Sequence, residues 1–478
     1  MSRYLLLPLF LFVSTFLYAG ALDDFLNSDN LKQAGIGFLL INMEDGEVVA
    51  EHQPDVCRNP ASVTKLLTTA TAMELLSDTF RFQTTIEYAG EIYDSVLCGN
   101  LYIRGGGDPT LESPHNPGKN KFFSSVLDTL QKLGIKTIDG KIIGDASLFR
   151  EDGSPINWLV EDVGSSYSPT PSCLSACDNL LSFVLTSTDS GFSISKMSPY
   201  TPLFQPIIEA TRNEKRPVGW RFTKSDFSWN PIIRGNFPPN TAQFLKTELS
   251  EPAYFVADSL RNLLIQNGIS VTFNSTTTRW TESDTLRTPL YVYHSSTLRD
   301  IERMTNYKSI NLFAENIFLT LSLQKDSQNP CTSWRSSLVI SNYWKSKKLE
   351  SDRIFQVDGS GMSTKNAISP RFLVNMLTYM YNESPYSQSF LSTLPVAGKN
   401  GTVASLMKGT PLEGKVHLKS GSMERVKNYA GYIFANGKKY AFCIMVSNFT
   451  GTAKQVMQQI GVLLNGIVKE DKQFIKQK

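Results

Sequence analysis

Histidine is scarce in this chain: His52, His115, His294 and His417 are the only four in 478 residues. No G-x-S-x-G elbow accompanies them, so nothing points to a serine–histidine–aspartate arrangement. H-E-x-x-H is missing, as is any close histidine and aspartate cluster, and metal-dependent hydrolysis is left without ligands. Cysteine is thin too. Cys57, Cys98, Cys173, Cys177, Cys331 and Cys443 are scattered, and only Cys173 and Cys177 stand close. Their "CLSAC" has no histidine neighbour and no second cysteine pair, so a local disulfide or two ordinary thiols is expected there, not a metal site. An excess of one charge is absent: 47 Lys and Arg face 44 Asp and Glu, a formal +3. With no basic run interleaved with aromatics, a nucleic-acid partner is excluded. No cofactor is called for either. The "GGGDP" at Gly105 to Pro109 lacks the lysine and following helix of a P-loop and is expected to be a tight turn.

Long apolar runs are absent beyond the first residues. There "MSRYLLLPLFLFVSTFLYAGA" carries one cation, Arg3, an apolar stretch from Tyr4 to Tyr18 broken by Pro8, Ser14 and Thr15, and the small residues Ala19, Gly20 and Ala21. Residues 1–21 read as a cleaved secretory signal peptide, with an uncleaved anchor as the alternative. No cysteine follows the small residues, so lipidation is not indicated. Loss of Arg3 takes the charge from +3 to +2. An exported protein is expected, in the periplasm or elsewhere in the extracytoplasmic envelope, with no integral membrane segment after cleavage.

What is present describes a folded protein of two or three domains: 41% hydrophobic, 19% charged and 11% aromatic residues. Ile36 to His52 reads as a hairpin leading into a helix, Asn59 to Leu76, whose Leu66, Leu67, Ala70, Met73 and Leu76 recur at three- and four-residue intervals. From Arg81 the texture changes to strands. The unit "FFSSVLDTLQKLGIKTIDGKIIGD", helix then Gly-Ile turn then strand, has a counterpart at Glu251 to Asn274, which hints that both belong to one inserted domain. Between them Phe149 to Phe244 is rich in Ser, Pro, Thr and Asn and reads as a further β-rich insertion. "SPRFLVNMLTYMY" is expected as a helix capped by Ser369 with Pro370 in its first position. "GKVHLKSGSM", "NYAGYIFANG" and "KYAFCIMVSNF" read as three antiparallel strands. A last helix carries the stripe Ala453, Val456, Met457, Ile460, Leu463 and Leu464, expected to cover that sheet.

"NPASVTKLL" places Ser62 three residues before Lys65 at the opening of the first helix. Ser-x-x-Lys is common by chance, and a helix cap followed by a solvated lysine is the plain reading of it. Two other short motifs change that. Ser309-Ile310-Asn311 stands at a helix start, and Lys419-Ser420-Gly421 lies on a strand before a hairpin. In the order S-x-x-K, S-x-N, K-[ST]-G, these resemble the motifs of the penicillin-recognising serine enzymes. The 244 residues from Lys65 to Ser309 leave room for a whole inserted domain, unlike a compact β-lactamase. Together with "GGGDPTL", "DGSGMS" (Asp358 to Ser363) and "LPVAGKNGTV" (Leu394 to Val403), this makes the chain similar to the D-Ala-D-Ala carboxypeptidase/endopeptidase family, the class C low-molecular-weight penicillin-binding proteins. One departure is that Ser420 replaces the usual threonine of K-T-G.

The resemblance implies an α+β fold (an α/β sandwich): an antiparallel sheet flanked by helices of the serine β-lactamase/DD-peptidase type, interrupted by one or two smaller inserted domains. Residues 22–80 and 287–478 would form the peptidase domain, 81–148 and 245–286 an inserted domain, and 149–244 a second insertion. It implies a serine DD-peptidase that cleaves D-Ala-D-Ala in peptidoglycan stem peptides and binds β-lactams covalently. A serine β-lactamase and a catalytically silent wall-binding or sensor protein share the motifs and are told apart by the lifetime of the penicilloyl ester and by peptide turnover. Without histidine, the base nearest Ser62 is Lys65, whose pKa must fall from near 10.4 for it to act. Partial desolvation, a positive helix N-terminus and a second ammonium, Lys419, are expected to lower it. Ser309 would relay the proton to the leaving amine, and Asn311 would hold the substrate amide and Lys65. Lys419 and Ser420 would bind the terminal carboxylate, while Gly421 lets substrate lie along the strand. The Ser62 and Ser422 N–H groups would form the oxyanion hole. Neighbours on a strand face opposite ways, so Lys419 and Ser420 can share one site only if the strand twists.

Overall fold

The computed structural model describes residues 20–118, 120–150, 153–224, 230–279, 286–326, 329–350, 352 and 354–475. Apart from Gly20 and Ala21, the expected leader lies outside them. Among the described residues no helix is long and apolar enough to cross a membrane. Nor does any group of three or more His, Cys, Asp or Glu among them form a candidate metal site.

The two ends of the chain meet in one five-stranded sheet, ordered Val416–Met423, Val426–Ala435, Lys438–Ser447, Gly35–Asn42, Val48–His52. All neighbours are antiparallel. The expected hairpin and the three expected C-terminal strands are its members. Ala435 pairs with Lys438, leaving Asn436 and Gly437 as a two-residue turn in which both φ angles are positive, +57° and +79°. That is the geometry an Asn-Gly dipeptide favours between twisted strands. The pleat sends Phe38, Leu40, Phe442 and Ile444 to one face, where they meet Val456, Ile460, Leu463 and Leu464 of the helix Ala453–Ile475. Of the expected stripe on this helix, Met457 is only partly buried and Ala453 is exposed. Leu39, Ile41, Cys443 and Met445 face the other way, onto the helices Thr64–Leu76, Asn311–Thr320 and Pro370–Asn382. Each fully buried Leu, Ile or Phe contributes about 1.5–3 kcal/mol, so a sheet covered on both faces is a firm platform for its edge strand. Ser369 caps its helix as expected, its Oγ accepting from Phe372 N at 3.1 Å.

A seven-stranded sheet interrupts this unit. It takes strands from 83–104, 137–145 and 270–294. The two helix–Gly–strand units noticed in the sequence lie side by side in it, Ser270–Val271 running parallel to Thr137–Ile138. Two boundaries differ from expectation. Thr288–His294 pairs antiparallel with Gln83–Tyr93, so the sheet of the insertion extends past residue 287. The edge placed at 244 falls inside the strand Thr241–Glu248, which pairs with Leu180–Thr188. Pairing partners so remote in sequence leave no local signal. The 180–248 strands form two three-stranded sheets whose buried Phe183, Leu185, Ile233, Phe237 and Leu245 join the same apolar core as Ile86, Leu101 and Leu260. Gly105–Pro109 bends without a hydrogen-bonded turn of its own: Gly107, at φ +91°, donates its N–H to the Cys173 carbonyl and Gly105 to that of Asp145. Cys173 and Cys177 are separate thiols.

Candidate active site

The Ser62 turn is a separate 3-10 turn, Ala61–Val63, and the helix begins at Thr64, later than expected. The delay has a backbone cause. Ala61 sits at φ +47°, a conformation no helix contains, and its N–H is held by Asn59 Oδ1 at 2.8 Å. Ser62 makes no capping bond to this helix. Its Oγ instead accepts from Lys65 Nζ at 3.0 Å, which disposes of the capping reading.

Lys65 is wholly buried. Its Nζ donates to three oxygens: Ser62 Oγ at 3.0 Å, Asn311 Oδ1 at 2.6 Å and the Ser360 carbonyl at 2.6 Å. Burial pulls its pKa down to about 7, while the carboxyls of Glu315 and Asp358 push the other way. The fall was expected, and of its expected causes desolvation is the one that acts; the two carboxyls oppose it. Lys419, equally buried, is held well below its ordinary value by burial and then by the Lys65 ammonium.

Ser309 ends the helix Leu298–Lys308 in a left-handed conformation, φ +58°, and Asn311 opens the next helix two residues on. This kink turns both side chains to the Ser62 side. Ser309 Oγ accepts from Lys419 Nζ at 2.9 Å. Asn311 Oδ1 meets Lys65, and its Nδ2 donates to the Tyr167 carbonyl at 2.7 Å. The amide expected to hold substrate is thus bonded here to a segment of the insertion.

Lys419, Ser420 and Gly421 lie on the sheet's edge strand, paired without irregularity to Val426–Ala435. Lys419 curls along the strand, its Nζ reaching the Ser420 carbonyl at 2.7 Å as well as Ser309 Oγ. Ser420 Oγ pairs with Thr402 Oγ1 at 2.8 Å. Gly421 meets a further demand besides the one expected: a Cβ there would stand 2.5 Å from Pro60 O, 3.0 Å from Val63 N and 3.2 Å from Ser62 N. Glycine therefore lets the strand edge touch the Ser62 turn. Ser422 is exposed and its Oγ accepts from Lys427 Nζ at 2.8 Å. His52, His115, His294 and His417 contribute no bond to Ser62 or Lys65.

Several residues here carried no role in the sequence reading. The loop Asp358–Ser363 is wedged between the Ser62 turn and the helix Asn311–Thr320. A Cβ at Gly359 would meet Ala314 O at 2.4 Å, and one at Gly361 would meet Ala61 O at 1.9 Å. Glu315 accepts from the N–H groups of Gly359 and Ser360 at 3.0 and 2.8 Å, and burial raises its pKa to about 8. Asp358 accepts from Gly361 N, Ser363 N, Asn366 Nδ2 and Trp158 Nε1. Asn428 donates to Asn59 O at 2.9 Å and accepts from Val446 N, tying the sheet to the Ser62 turn. "DGSGMS" and the Glu of "SINLFAEN" were the available signals, but neither names a backbone carbonyl as a lysine partner.

A serine hydroxyl served by a buried lysine, at the edge of an antiparallel sheet with helices on both faces and inserted sheets beyond, defines the penicillin-recognising serine hydrolases. Within that class the chain belongs to the D-Ala-D-Ala carboxypeptidase 3 (S13) family, matched over residues 18–466, and is a serine-type D-Ala-D-Ala peptidase. It is 23% identical over 427 residues to D-alanyl-D-alanine carboxypeptidase DacB of Haemophilus influenzae, covering 87% of this chain and 86% of that one. Its fold is similar to the crystal structure of penicillin binding protein 4 (dacB) from Haemophilus influenzae, with a TM-score of 0.78 at 20% identity over 89% of this chain and 95% of that one. A second structure of that protein, complexed with a novel β-lactam, gives a TM-score of 0.75 at 21% identity, covering 91% and 96%.

Proposed function

We propose that Ser62 is the nucleophile that opens the D-Ala-D-Ala bond of peptidoglycan stem peptides, and that β-lactams acylate the same oxygen. The observation that carries this is the set of partners around Lys65 Nζ. A neutral amine has two N–H bonds and one lone pair. Asn311 Oδ1 and the Ser360 carbonyl are acceptors that claim the two N–H bonds, so the lone pair is left for the Ser62 hydroxyl 3.0 Å away. As Ser62 Oγ adds to the carbonyl carbon of the penultimate D-Ala, its proton passes to Lys65 Nζ. The N–H groups of Ser62 and Ser422 receive the oxyanion. When the tetrahedral adduct collapses, the C–N bond breaks and the departing D-Ala amine takes, through Ser309, the proton that Lys65 had accepted, leaving the lysine neutral again. Water then adds to the acyl ester, delivering its proton to Lys65 and returning the Ser62 hydroxyl.

Lys419 and Ser420 hold the terminal carboxylate in this scheme, and an arriving negative charge favours the ammonium form of Lys419 that burial disfavours. A D-Ala cross-link differs only in the amine that leaves, so the same groups serve an endopeptidase. We infer export to the extracytoplasmic envelope from residues 1–21, with the insertions as modules beside the peptidase domain. The test is release of D-Ala from a stem peptide ending in D-Ala-D-Ala. Ser62→Ala should abolish it while keeping the melting temperature, and turnover surviving in that variant contradicts the assignment.

A further inference from the structure

Asn311 and Glu315 are one helical turn apart on Asn311–Thr320 and so share a face. Asn311 touches Lys65 directly. Glu315 lies one link further away: its two oxygens accept from the consecutive N–H groups of Gly359 and Ser360, and the Ser360 carbonyl then accepts from Lys65. The loop between them has little freedom to compensate. It is pressed against Ala314 and Phe318 at Gly359 and against Ala61 and Thr64 at Gly361. Thr68 Oγ1 also donates to the Gly359 carbonyl, at 2.8 Å.

We propose that Glu315 is the positioning residue for the base: it fixes the Ser360 carbonyl and thereby aims the lone pair of Lys65 at Ser62. The inference rests on the Ser62–Lys65 reading above. An amine held by one acceptor rotates about that single bond. Two acceptors from different elements, Asn311 Oδ1 on the helix and Ser360 O on the loop, leave one direction for the lone pair. Asn311 Oδ1 is steadied by the bond its Nδ2 makes to the Tyr167 carbonyl. The Ser360 carbonyl shares a rigid peptide with Gly361 N–H, which Asp358 holds within the loop, and Glu315 ties this loop, through Gly359 and Ser360 N–H, to the helix that carries Asn311. Asp358 keeps the turn closed through Gly361 and Ser363, so removing Glu315 lets the closed turn, and the Ser360 carbonyl with it, shift relative to Asn311 without unfolding. Glu315 touches no substrate. Its effect belongs to the rate of acylation, not to the grip on substrate.

The experiment is saturation kinetics of acylation by a chromogenic β-lactam, which separates the dissociation constant of the initial complex from the acylation rate constant k2. Glu315→Gln keeps the size and one acceptor but presents an amide N–H to a backbone N–H. Glu315→Asp keeps a carboxyl group but withdraws it by one methylene. Both should lower k2 roughly ten- to a hundredfold, with the dissociation constant unchanged, as misaimed catalytic groups do. A wild-type k2 in either folded variant overturns the proposal, whatever happens to the dissociation constant or to the folded fraction. Ser62→Ala run alongside separates this from the parent reading. If that variant is still acylated, the nucleophile is wrong; if it is silent while Glu315→Gln reacts at the wild-type k2, only the positioning role falls.

Discussion

Acylation should switch on with the loss of one proton, and pH is the perturbation that reads it. From an ordinary 10.5, burial brings Lys65 to about 7. At pH 7 the neutral fraction thereby rises from about one in three thousand to about one half, a difference of about 5 kcal/mol between the two forms. The neutral amine is the base, so the second-order rate of acylation by a fluorescent penicillin should rise with pH through about 7 and level off above. Below that midpoint it should fall about tenfold per pH unit. Glu315 and Asp358 pull the midpoint up and burial pulls it down, and burial, the larger effect, sets the sign. The assay is the labelling rate between pH 5 and 9.5, with the melting temperature followed across the same range. A rate independent of pH from 5 to 8, or one still climbing at pH 9.5, would refute a buried lysine as base.

Three further outcomes follow from the geometry. Ser420→Val removes a charge-assisted bond to the terminal carboxylate worth roughly 1.5–3 kcal/mol, or about 10- to 150-fold in kcat/KM; a peptide with free D-Ala should suffer in full and its amidated analogue little, and equal losses would transfer Ser420 to another role. Gly421→Ala drives a methyl to 2.5 Å from Pro60 O, costing about 1–3 kcal/mol of overpacking, and should slow acylation by about a hundredfold through the displaced Ser62 turn; a variant acylated at the wild-type rate would mean the strand edge does not support that turn. Glu302 is wholly buried, neither carboxyl oxygen has a hydrogen-bond partner, and burial with the charge of Asp78 raises its pKa well above the ordinary value. Because its folded pKa is raised, its contribution is full below about pH 4.5 and is lost as pH rises from there toward the folded value. Glu302→Gln should therefore gain melting temperature over wild type between pH 5 and pH 8, and a difference that is flat or shrinks with pH contradicts a neutral buried acid.

Local chemistry made much of this legible. Asn436-Gly437 announces its hairpin because both residues accept positive φ, and Ser369-Pro370 announces its helix. Ser62, Lys65, Ser309, Asn311, Lys419 and Ser420 stood out because three short motifs recur in one order. What could not be read depends on contacts between remote segments. The carbonyl of Ala61 packs against Gly361, three hundred residues away, where any Cβ would collide with it. Glu315 acts through a backbone carbonyl, which has no letter of its own in a sequence. The curl of Lys419 onto Ser420 O cannot be told from a strand's alternation. Thr288–His294 joins the inserted sheet through a partner strand some two hundred residues earlier, so texture alone misplaced that boundary.

The most direct measurement is the intact mass of the protein after incubation with a penicillin, followed by a peptide map of the adduct. Ring opening adds the whole penicillin and releases nothing, so the expected gain is the full mass of the drug, carried by the peptide that contains Ser62 and absent from Ser62→Ala. An adduct on any other residue, or one that forms equally in Ser62→Ala, contradicts Ser62 as the nucleophile.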